Sequence, residues 1–504
     1  MFERFLVSVC LVSACAVDDG VGDSDIVERV GGPVLVQPGS LTAVLNVVGD
    51  DWVIYQSGST IFASRLEAGA RPIAISDTPI APGTVFGPQV IVSGNVALIW
   101  PDQSSFLNTT PSRLVIWSPE TGAHVASTRS VTPTNTGFFA AIAVSPDDCS
   151  VVFVDNVDAT GTRGDLVFAP IDASRKVTIA HDVNVDYTNP TCTPDIVYSS
   201  LESGAHPLAS YCAGADTTAT LSTVDHGRAR VLTTGLKVSP RTFARHDVIT
   251  TVLADGSPVQ VGLDGTVTHL DTNTSSLVFP TENGKLYSIA STPAGVAFEQ
   301  IDRRHHDIHS IVALPISRVY AKHAPLGLSY YTDELLSPDF TTLMYPTQSD
   351  PNTGLRDVVI ADITERTGTP VPLATDALCG SSFEIFTQDS SHALYYCLDP
   401  ATGVFSLFAG ALDAAPQRIS AGQTEFQHFG VAGSTVVYAD NSSPFSDVPF
   451  TFDLRLADVT DPAHQIQVVT TASTNFMVTR DRRVVVYSRD VASAPAGIYM
   501  SRLR

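Results

Sequence analysis

The chain has 504 residues, of which 44% are apolar and 16% charged, so it is too hydrophobic to be disordered and long enough for one very large domain or several ordinary ones. Its 52 acidic residues outnumber 29 basic ones, and the formal charge of −23 repels phosphate backbones and anionic lipid headgroups. We therefore expect no nucleic-acid partner.

The N-terminus has the pattern of an export signal. Residues 5–14 form a ten-residue apolar stretch, whereas a membrane-spanning helix needs about 20 residues. The stretch ends in Val12-Ser13-Ala14-Cys15, which resembles the lipobox of bacterial lipoproteins, where the cysteine is lipidated and becomes the new N-terminus. The resemblance implies a signal peptide at residues 1–14, a lipid anchor on Cys15, and a flexible tether that completes residues 15–32.

The resemblance to the lipobox also implies which membrane the protein is sorted to. In such lipoproteins an aspartate after the cysteine favours retention in the inner membrane, and this chain has Ala16 there. The implied location is the outer membrane, with the membrane as a partner through the lipid. A plain secretory signal and a misplaced start codon are the alternatives.

Five cysteines follow Cys15, and no two of them have CxxC spacing, so neither a zinc site nor a thioredoxin motif has sequence support. Cys192 and Cys212 enclose one predicted strand pair, and Cys379 and Cys397 enclose another, each with a His-x-Leu run before the second cysteine. We predict two equivalent disulfides, Cys192–Cys212 and Cys379–Cys397, each closing a loop of about 20 residues and contributing about 3 kcal/mol. Cys149 is left over and is predicted to be a small buried residue.

Short segments made of a turn and a strand recur along the remaining sequence. SPDDCSVVFVDN (145–156) has a counterpart in SPDFTTLMYPTQ (337–348) and looser ones at 387–399, 431–441 and 479–490. Proline and aspartate favour a sharp turn, since proline presets φ and aspartate accepts local backbone N–H groups. The strands that follow are apolar on both faces, so each must be covered above and below.

Further strands follow each of these segments, and similar strand pairs precede residue 300. Ten units of about 46 residues can be counted from about residue 43 to the C-terminus, with no convincing amphipathic helix. This pattern predicts an all-β fold, a β-propeller of four-stranded blades over residues 33–504, with seven to ten blades and a single ring favoured. The last unit has no strand for its outer edge, so we predict that residues 33–36 pair with it and close the ring.

The turn-and-strand pattern resembles the WD40-like repeats of the TolB family. It is clearest at Ser145-Pro146-Asp147 and Ser337-Pro338-Asp339, and it implies a propeller. The repeats begin almost directly after the tether, which leaves no space for the α/β domain that precedes the TolB propeller, so a Tol-Pal role does not carry over. The units over 247–300 are irregular, and residues 302–333 fit no template.

Titratable residues are densest in DRRHHDIHS (302–310). In a strand His305, Asp307 and His309 would share one face, and imidazole is a common ligand of zinc and copper, so these three are the weak candidates for a metal site. A polar surface loop is the preferred interpretation, and we predict no metal and no cofactor. The oxygen-rich segments 155–165 and 348–357 lack the spacing of a calcium loop and are interpreted as turns.

Two classes of function fit these features. The first is a binding or scaffolding lipoprotein that holds a protein, peptide or glycan on a propeller face or in the channel. The second is an exported polysaccharide lyase or hydrolase whose site converges on the channel from several blades. No catalytic residue is predicted, because neither a G-x-S-x-G elbow nor a P-loop is present, so binding is favoured. Three or more buried His, Asp, Glu or Arg side chains in one pocket would favour the enzyme.

Overall fold

A computed structural model of the chain is all β in the part that it describes. The described residues are 30–39, 42–80, 88–103, 111–131, 142–185, 194–201, 204–237, 243–245, 248–270, 277–280, 285–292, 295–302, 307–314, 336–346, 355–364, 370–380, 386–424, 428–443, 451–463, 465–490 and 494–503. Within them the chain forms 38 strands in nine antiparallel sheets, and no helix. These same ranges accordingly include no helix with the length and apolar character needed to span a bilayer.

The first six units are separate four-stranded sheets, each built from consecutive strands. Units 1 to 3 consist of β2 (Thr42–Val48), β3 (Trp52–Ser57), β4 (Thr60–Arg65) and β5 (Ile73–Asp77); β6 (Gln89–Ser93), β7 (Val96–Trp100), β8 (Ser112–Ser118) and β9 (Gly122–Ser130); and β10 (Ala143–Val144), β11 (Ser150–Asp155), β12 (Arg163–Pro170) and β13 (Val177–Asn184). Units 4 to 6 consist of β14 (Asp195–Leu201), β15 (Gly204–Tyr211), β16 (Ala219–Asp225) and β17 (Arg228–Leu236); β18 (Phe243–Arg245), β19 (Val248–Val252), β20 (Pro258–Val261) and β21 (Val267–His269); and β22 (Leu277–Pro280), β23 (Leu286–Thr292), β24 (Gly295–Asp302) and β25 (Asp307–Leu314).

The remaining strands complete four more units. Unit 7 consists of β26 (Thr342–Pro346), β27 (Arg356–Asp362) and β28 (Val371–Ala377), and unit 8 of β29 (Cys379–Gly380), β30 (Ala393–Asp399), β31 (Val404–Gly410) and β32 (Gln417–Arg418). Units 9 and 10 form one seven-stranded sheet of β33 (His428–Gly430), β34 (Thr435–Asp440), β35 (Thr451–Asp458), β36 (Gln465–Val478), β37 (Val484–Arg489), β38 (Gly497–Arg502) and β1 (Val34–Pro38).

The long strand β36 joins units 9 and 10. Its first half pairs with β35, with Gln465 opposite Ala457, and its second half pairs with β37, with Val478 opposite Val485. β36 is therefore the last strand of unit 9 and the first strand of unit 10. Counted in this way, the described residues contain the ten units that the sequence predicts, and seven of them are separate four-stranded sheets, consistent with the blades of a β-propeller.

Unit 6 corrects the interpretation of residues 302–333. The sequence pairs 276–282 with 285–291 in the same way as the strand pairs of the other units, but β22 and β23 are the first two strands of this sheet, and β24 and β25 follow. Residues 307–314 thus belong to the repeat as the fourth strand. The sequence does not indicate this strand clearly, because the polar residues 302–306 come directly before it.

The sheets stack through strands that are buried on both faces. In β11, Val151 and Phe153 pack against unit 2 in one core cluster, whereas Val152 and Val154 pack against unit 4 in another. Successive side chains of a strand point to opposite faces, so one apolar run supplies two cores. The fully apolar strands of the sequence have this physical origin.

The N-terminal strand supplies the predicted outer edge of unit 10. β1 pairs antiparallel with β38, placing Val34 opposite Met500 and Leu35 opposite Tyr499. Val36 is fully buried in a cluster that contains Ile498 of unit 10 and residues of unit 1. The predicted pairing of residues 33–36 with the last unit is confirmed for residues 34 and 35, and the pairing resumes at Gln37 after an irregularity.

The turn that precedes the second strand of units 3, 8 and 10 and the first strand of unit 7 has the same geometry in all four units. The N–H of Ser145, Ser337, Thr387 or Thr479 donates to the carbonyl oxygen five residues later, at 2.8, 2.8, 3.0 and 2.9 Å. The fourth turn residue has a positive φ, at Asp148 (+56°), Phe340 (+58°), Ser390 (+64°) and Arg482 (+58°). Aspartate at the third position accepts from the backbone N–H two residues later, at Asp147, Asp339, Asp389 and Asp481. The role predicted for aspartate in these turns is confirmed.

These turns also contact one another between neighbouring units. The N–H of Asp481 in unit 10 donates to Asp50 Oδ1 in unit 1 at 2.8 Å, and the N–H of Gly49 in unit 1 donates to the carbonyl oxygen of Gly94 in unit 2 at 3.0 Å. The N–H of Asn95 in unit 2 then donates to Asp148 Oδ2 in unit 3 at 2.9 Å. These first turns of units 10, 1, 2 and 3 form a continuous chain of hydrogen bonds, which we call the turn chain.

Candidate binding cleft between units 4 and 5

One of the two predicted disulfides lies within the described residues. Cys379 and Cys397 are directly opposite each other on β29 and β30 and form a disulfide, with Cα atoms 4.0 Å apart. Cys212 is also disulfide-bonded, but its predicted partner Cys192 lies outside the described residues. Cys15, the predicted lipidation site, lies outside them as well.

The second cysteines of the two predicted pairs pack towards different neighbouring units. Cys212 packs in the cluster between units 4 and 5, towards the following unit, whereas Cys397 packs in a cluster with unit 7, towards the preceding one. The run from histidine to the second cysteine is one residue longer in unit 4, and one residue reverses the face of a strand. Cys149 is placed differently from the prediction, because it is exposed in the turn before β11.

The candidate metal ligands are only partly described. His305 lies outside the described residues, while Asp307 and His309 lie on β25, opposite Asp302 and Gln300. Among the described residues no group of three or more His, Cys, Asp or Glu side chains could hold a metal ion. In the oxygen-rich segment 155–165, Asp158 accepts from the Thr162 N–H at 2.9 Å and from the Thr160 hydroxyl at 2.9 Å, which is the predicted turn chemistry.

A different set of polar residues comes together on one face of unit 4. Leu208 on β15 lies opposite Thr223 on β16, and Thr223 lies opposite Arg230 on β17. Residues two positions apart share a face, so His206 joins Leu208 and Asp225 joins Thr223 on this face. The strand register therefore brings His206, Thr223, Asp225 and Arg230 together.

This face of unit 4 is turned towards unit 5. Leu208 and Leu221 pack with Val259 in the core cluster that joins the two units. Past this core the space between the units opens into a cleft of about 420 Å³ lined by His206, Thr223, Asp225, His226, Arg230 and Leu263. Leu263 comes from the turn between β20 and β21, so residues of both units line the cleft, which we call the 4/5 cleft.

Two polar contacts and one buried hydroxyl define the chemistry of the 4/5 cleft. Arg230 Nη2 donates to the carbonyl oxygen of Leu263 and thereby connects the two walls. His226 Nδ1 lies 2.7 Å from Asp225 Oδ1. Thr223 is 1% exposed, and in the described structure its Oγ1 atom is buried without a hydrogen-bond partner. A hydroxyl buried in this way is a potential partner for a ligand oxygen.

The hairpin formed by β16 and β17 differs in charge from the whole protein. The segment Asp225-His226-Gly227-Arg228-Ala229-Arg230 carries two arginines and one carboxylate, and His206 lies beside it. The cleft is therefore a locally basic position on a chain with a net charge of −23. The side chains are not buried together, since that of His226 is 94% exposed and that of Asp225 is 41% exposed, so the convergence of buried titratable groups expected of an enzyme pocket is not met here.

Sequence comparison identifies no family for the chain. No protein-family profile matches it, and no curated protein matches it. Among solved structures, a eukaryotic initiation factor aligns with a TM-score of 0.43 and 13% identity, covering 78% of this chain and 88% of the other. Dipeptidyl peptidase 4 of Porphyromonas gingivalis aligns with a TM-score of 0.46 and 8% identity, covering 91% of this chain and 66% of the other. At these scores neither similarity carries a functional inference.

Proposed function

We propose that the chain is an outer-membrane-anchored lipoprotein whose TolB-like β-propeller binds a ligand and leaves it chemically unchanged. The lipobox-like sequence ending at Cys15 supports the anchor, and the disulfide between Cys379 and Cys397 supports export, since disulfides persist in oxidising compartments. The acidic surface disfavours electrostatic attachment to anionic lipid, so the attachment would be covalent.

The proposal includes a single ring of ten blades closed by β1. Core clusters join unit 10 to unit 1, unit 1 to unit 2 and unit 2 to unit 3, and the turn chain connects the same four units. A closed ring leaves no long unpaired strand edge, which favours a soluble and rigid head. Such a head can hold binding residues in fixed positions on a short tether.

The 4/5 cleft is the observation that carries the binding function. Its volume lies within the range of ligand pockets, about 300–1,000 Å³, and its polar groups are held by paired strands rather than by long loops. Its arginine, hydroxyl, imidazole and carboxylate groups suit recognition of a polar small molecule or one residue of a glycan.

The anchor is tested by fractionation of cells that produce the full chain. Cys15→Ser should move the protein from the membrane fraction to the soluble fraction, and Cys10→Ser is the matched control that should leave it in the membrane. Release by both variants, or by neither, would contradict the lipobox assignment.

Binding is tested with the soluble Cys15→Ser chain. Saturation-transfer NMR with a panel of uronic acids, neutral sugars and short peptides should detect at least one ligand, and the spectra of that ligand should not change with time. A panel without any binder would contradict the proposal. Conversion of a panel member would favour the polysaccharide lyase or hydrolase.

A further inference from the structure

We propose that the 4/5 cleft recognises a uronic acid, that is, a sugar residue carrying a carboxylate. This inference rests on the proposed binding function and specifies its ligand. The cleft is formed between two sheets, away from the turn chain, and it takes residues from three strands of unit 4 and one turn of unit 5.

The carboxylate of the ligand would bind between Arg230 and Thr223. These residues lie directly opposite each other on β17 and β16, so their side chains leave the sheet on the same face. A guanidinium has a planar array of N–H donors that fits a carboxylate, and the contact of Arg230 with the Leu263 carbonyl holds the guanidinium across the cleft. The Thr223 hydroxyl would donate to the same ligand group and gain the partner that it lacks.

Sugar hydroxyls fit the other side of the cleft. Asp225 lies two residues from Thr223 on the same face, and its Oδ1 atom is already close to His226 Nδ1. The carboxylate can accept from hydroxyl groups, and the imidazoles of His206 and His226 can donate or accept. A ligand with both a carboxylate and hydroxyl groups uses all of these residues.

A ligand ammonium group fits less well than hydroxyl groups. Asp225 is the only carboxylate among the residues that line the cleft in the described structure, and it is shared with His226. Arg228 and Arg230 lie on the same hairpin and would repel a second cation. The charge balance therefore favours a hydroxylated acid over an amino acid or a peptide terminus.

The test compares two sugars, one with a carboxylate and one with a hydroxyl group in its place. The Cys15→Ser chain is titrated with D-galacturonate and with D-galactose by isothermal calorimetry, in low-salt buffer. D-Galacturonate should bind at least about tenfold more tightly, because hydrogen bonds to a charged group contribute about 1.5–3 kcal/mol. L-Alanyl-L-alanine supplies a carboxylate together with an ammonium group and should bind more weakly than D-galacturonate.

Variants assign the binding to the cleft. Arg230→Gln should weaken D-galacturonate binding about tenfold or more. Arg175→Gln removes the same charge at an exposed residue of unit 3 and should change the affinity by less than about threefold. Thr223→Val removes the buried hydroxyl without a partner, so it should weaken binding while leaving the urea denaturation midpoint unchanged or higher.

The outcomes separate this inference from the proposed function. If the panel of ligands yields a binder but D-galacturonate and D-galactose bind equally, or Arg230→Gln and Arg175→Gln act alike, the uronic acid assignment is wrong and the binding function stands. If nothing in the panel binds to a folded protein, both are wrong.

Discussion

The turn chain predicts that Gly94→Ala destabilises the protein for two separable reasons. Gly94 has φ of +55°, and a Cβ atom there would clash with the Asp148 carboxylate of unit 3. The left-handed backbone costs a non-glycine residue about 1 kcal/mol. Displacement of Asp148 would also break its bonds from the Asn95 backbone N–H and side-chain amide, at 2.9 and 3.3 Å, for about 1.5–3 kcal/mol. The expected total is about 3 kcal/mol.

Gly122→Ala is the matched control for this prediction. Gly122 has φ of +73°, and a Cβ atom at this residue would have no neighbouring atom within 4 Å, so the substitution should cost only the backbone contribution of about 1 kcal/mol. Urea denaturation of both variants and of Gly94→Ala combined with Asp148→Ala measures the difference. Equal midpoints for Gly94→Ala and Gly122→Ala, or additive effects in the double variant, would refute the contact between units 2 and 3.

Three further predictions concern other parts of the fold. Val36→Ala should lower stability by about 2 kcal/mol because Val36 is fully buried, whereas Val34→Ala, at a residue that is 37% exposed, should cost less than about 0.5 kcal/mol in urea denaturation. Non-reducing peptide mapping should recover Cys379–Cys397 and Cys192–Cys212, and reduction should lower the denaturation midpoint, as each loop contributes about 3 kcal/mol. Burial raises the pKa of Asp339, but hydrogen bonds from the Ser337 and Thr341 side chains and the Thr341 N–H outweigh it and hold the pKa below its usual value. The stabilisation from the ionised Asp339 carboxylate is therefore present above about pH 4 and lost as the pH falls through the folded-state pKa. Asp339→Asn should lower the urea midpoint at pH 6, and its effect should shrink as the pH falls below about 4.

The central strands of the repeat could be predicted because both of their faces are buried. Runs such as VVFV at 151–154 are continuous and apolar, and the turns before them carry proline and aspartate. The first strands could not be predicted in the same way. β10 and β29 have only two residues each, and β36 serves two units without a turn between them.

The 4/5 cleft could not be predicted because no local motif encodes it. His206, Thr223 and Arg230 are brought together by the register of three strands, and Leu263 comes from the next unit. The His-x-Leu run at 206–208 stands out in the sequence, but by itself it indicates only the approach to a cysteine and not the face on which its histidine lies. The register of β15 with β16 connects that histidine with Asp225, and this register is set by the pairing of whole strands, which no short motif encodes.

Binding without chemical conversion can be checked by following one ligand over time. Tri-galacturonate is incubated with the Cys15→Ser chain, and proton NMR records its resonances over a day. We expect the protein to broaden the ligand resonances, Arg230→Gln to reduce this broadening, and no new resonances to appear. The appearance of vinylic or new reducing-end protons would contradict binding without conversion, whereas unbroadened tri-galacturonate resonances would contradict the uronic acid assignment.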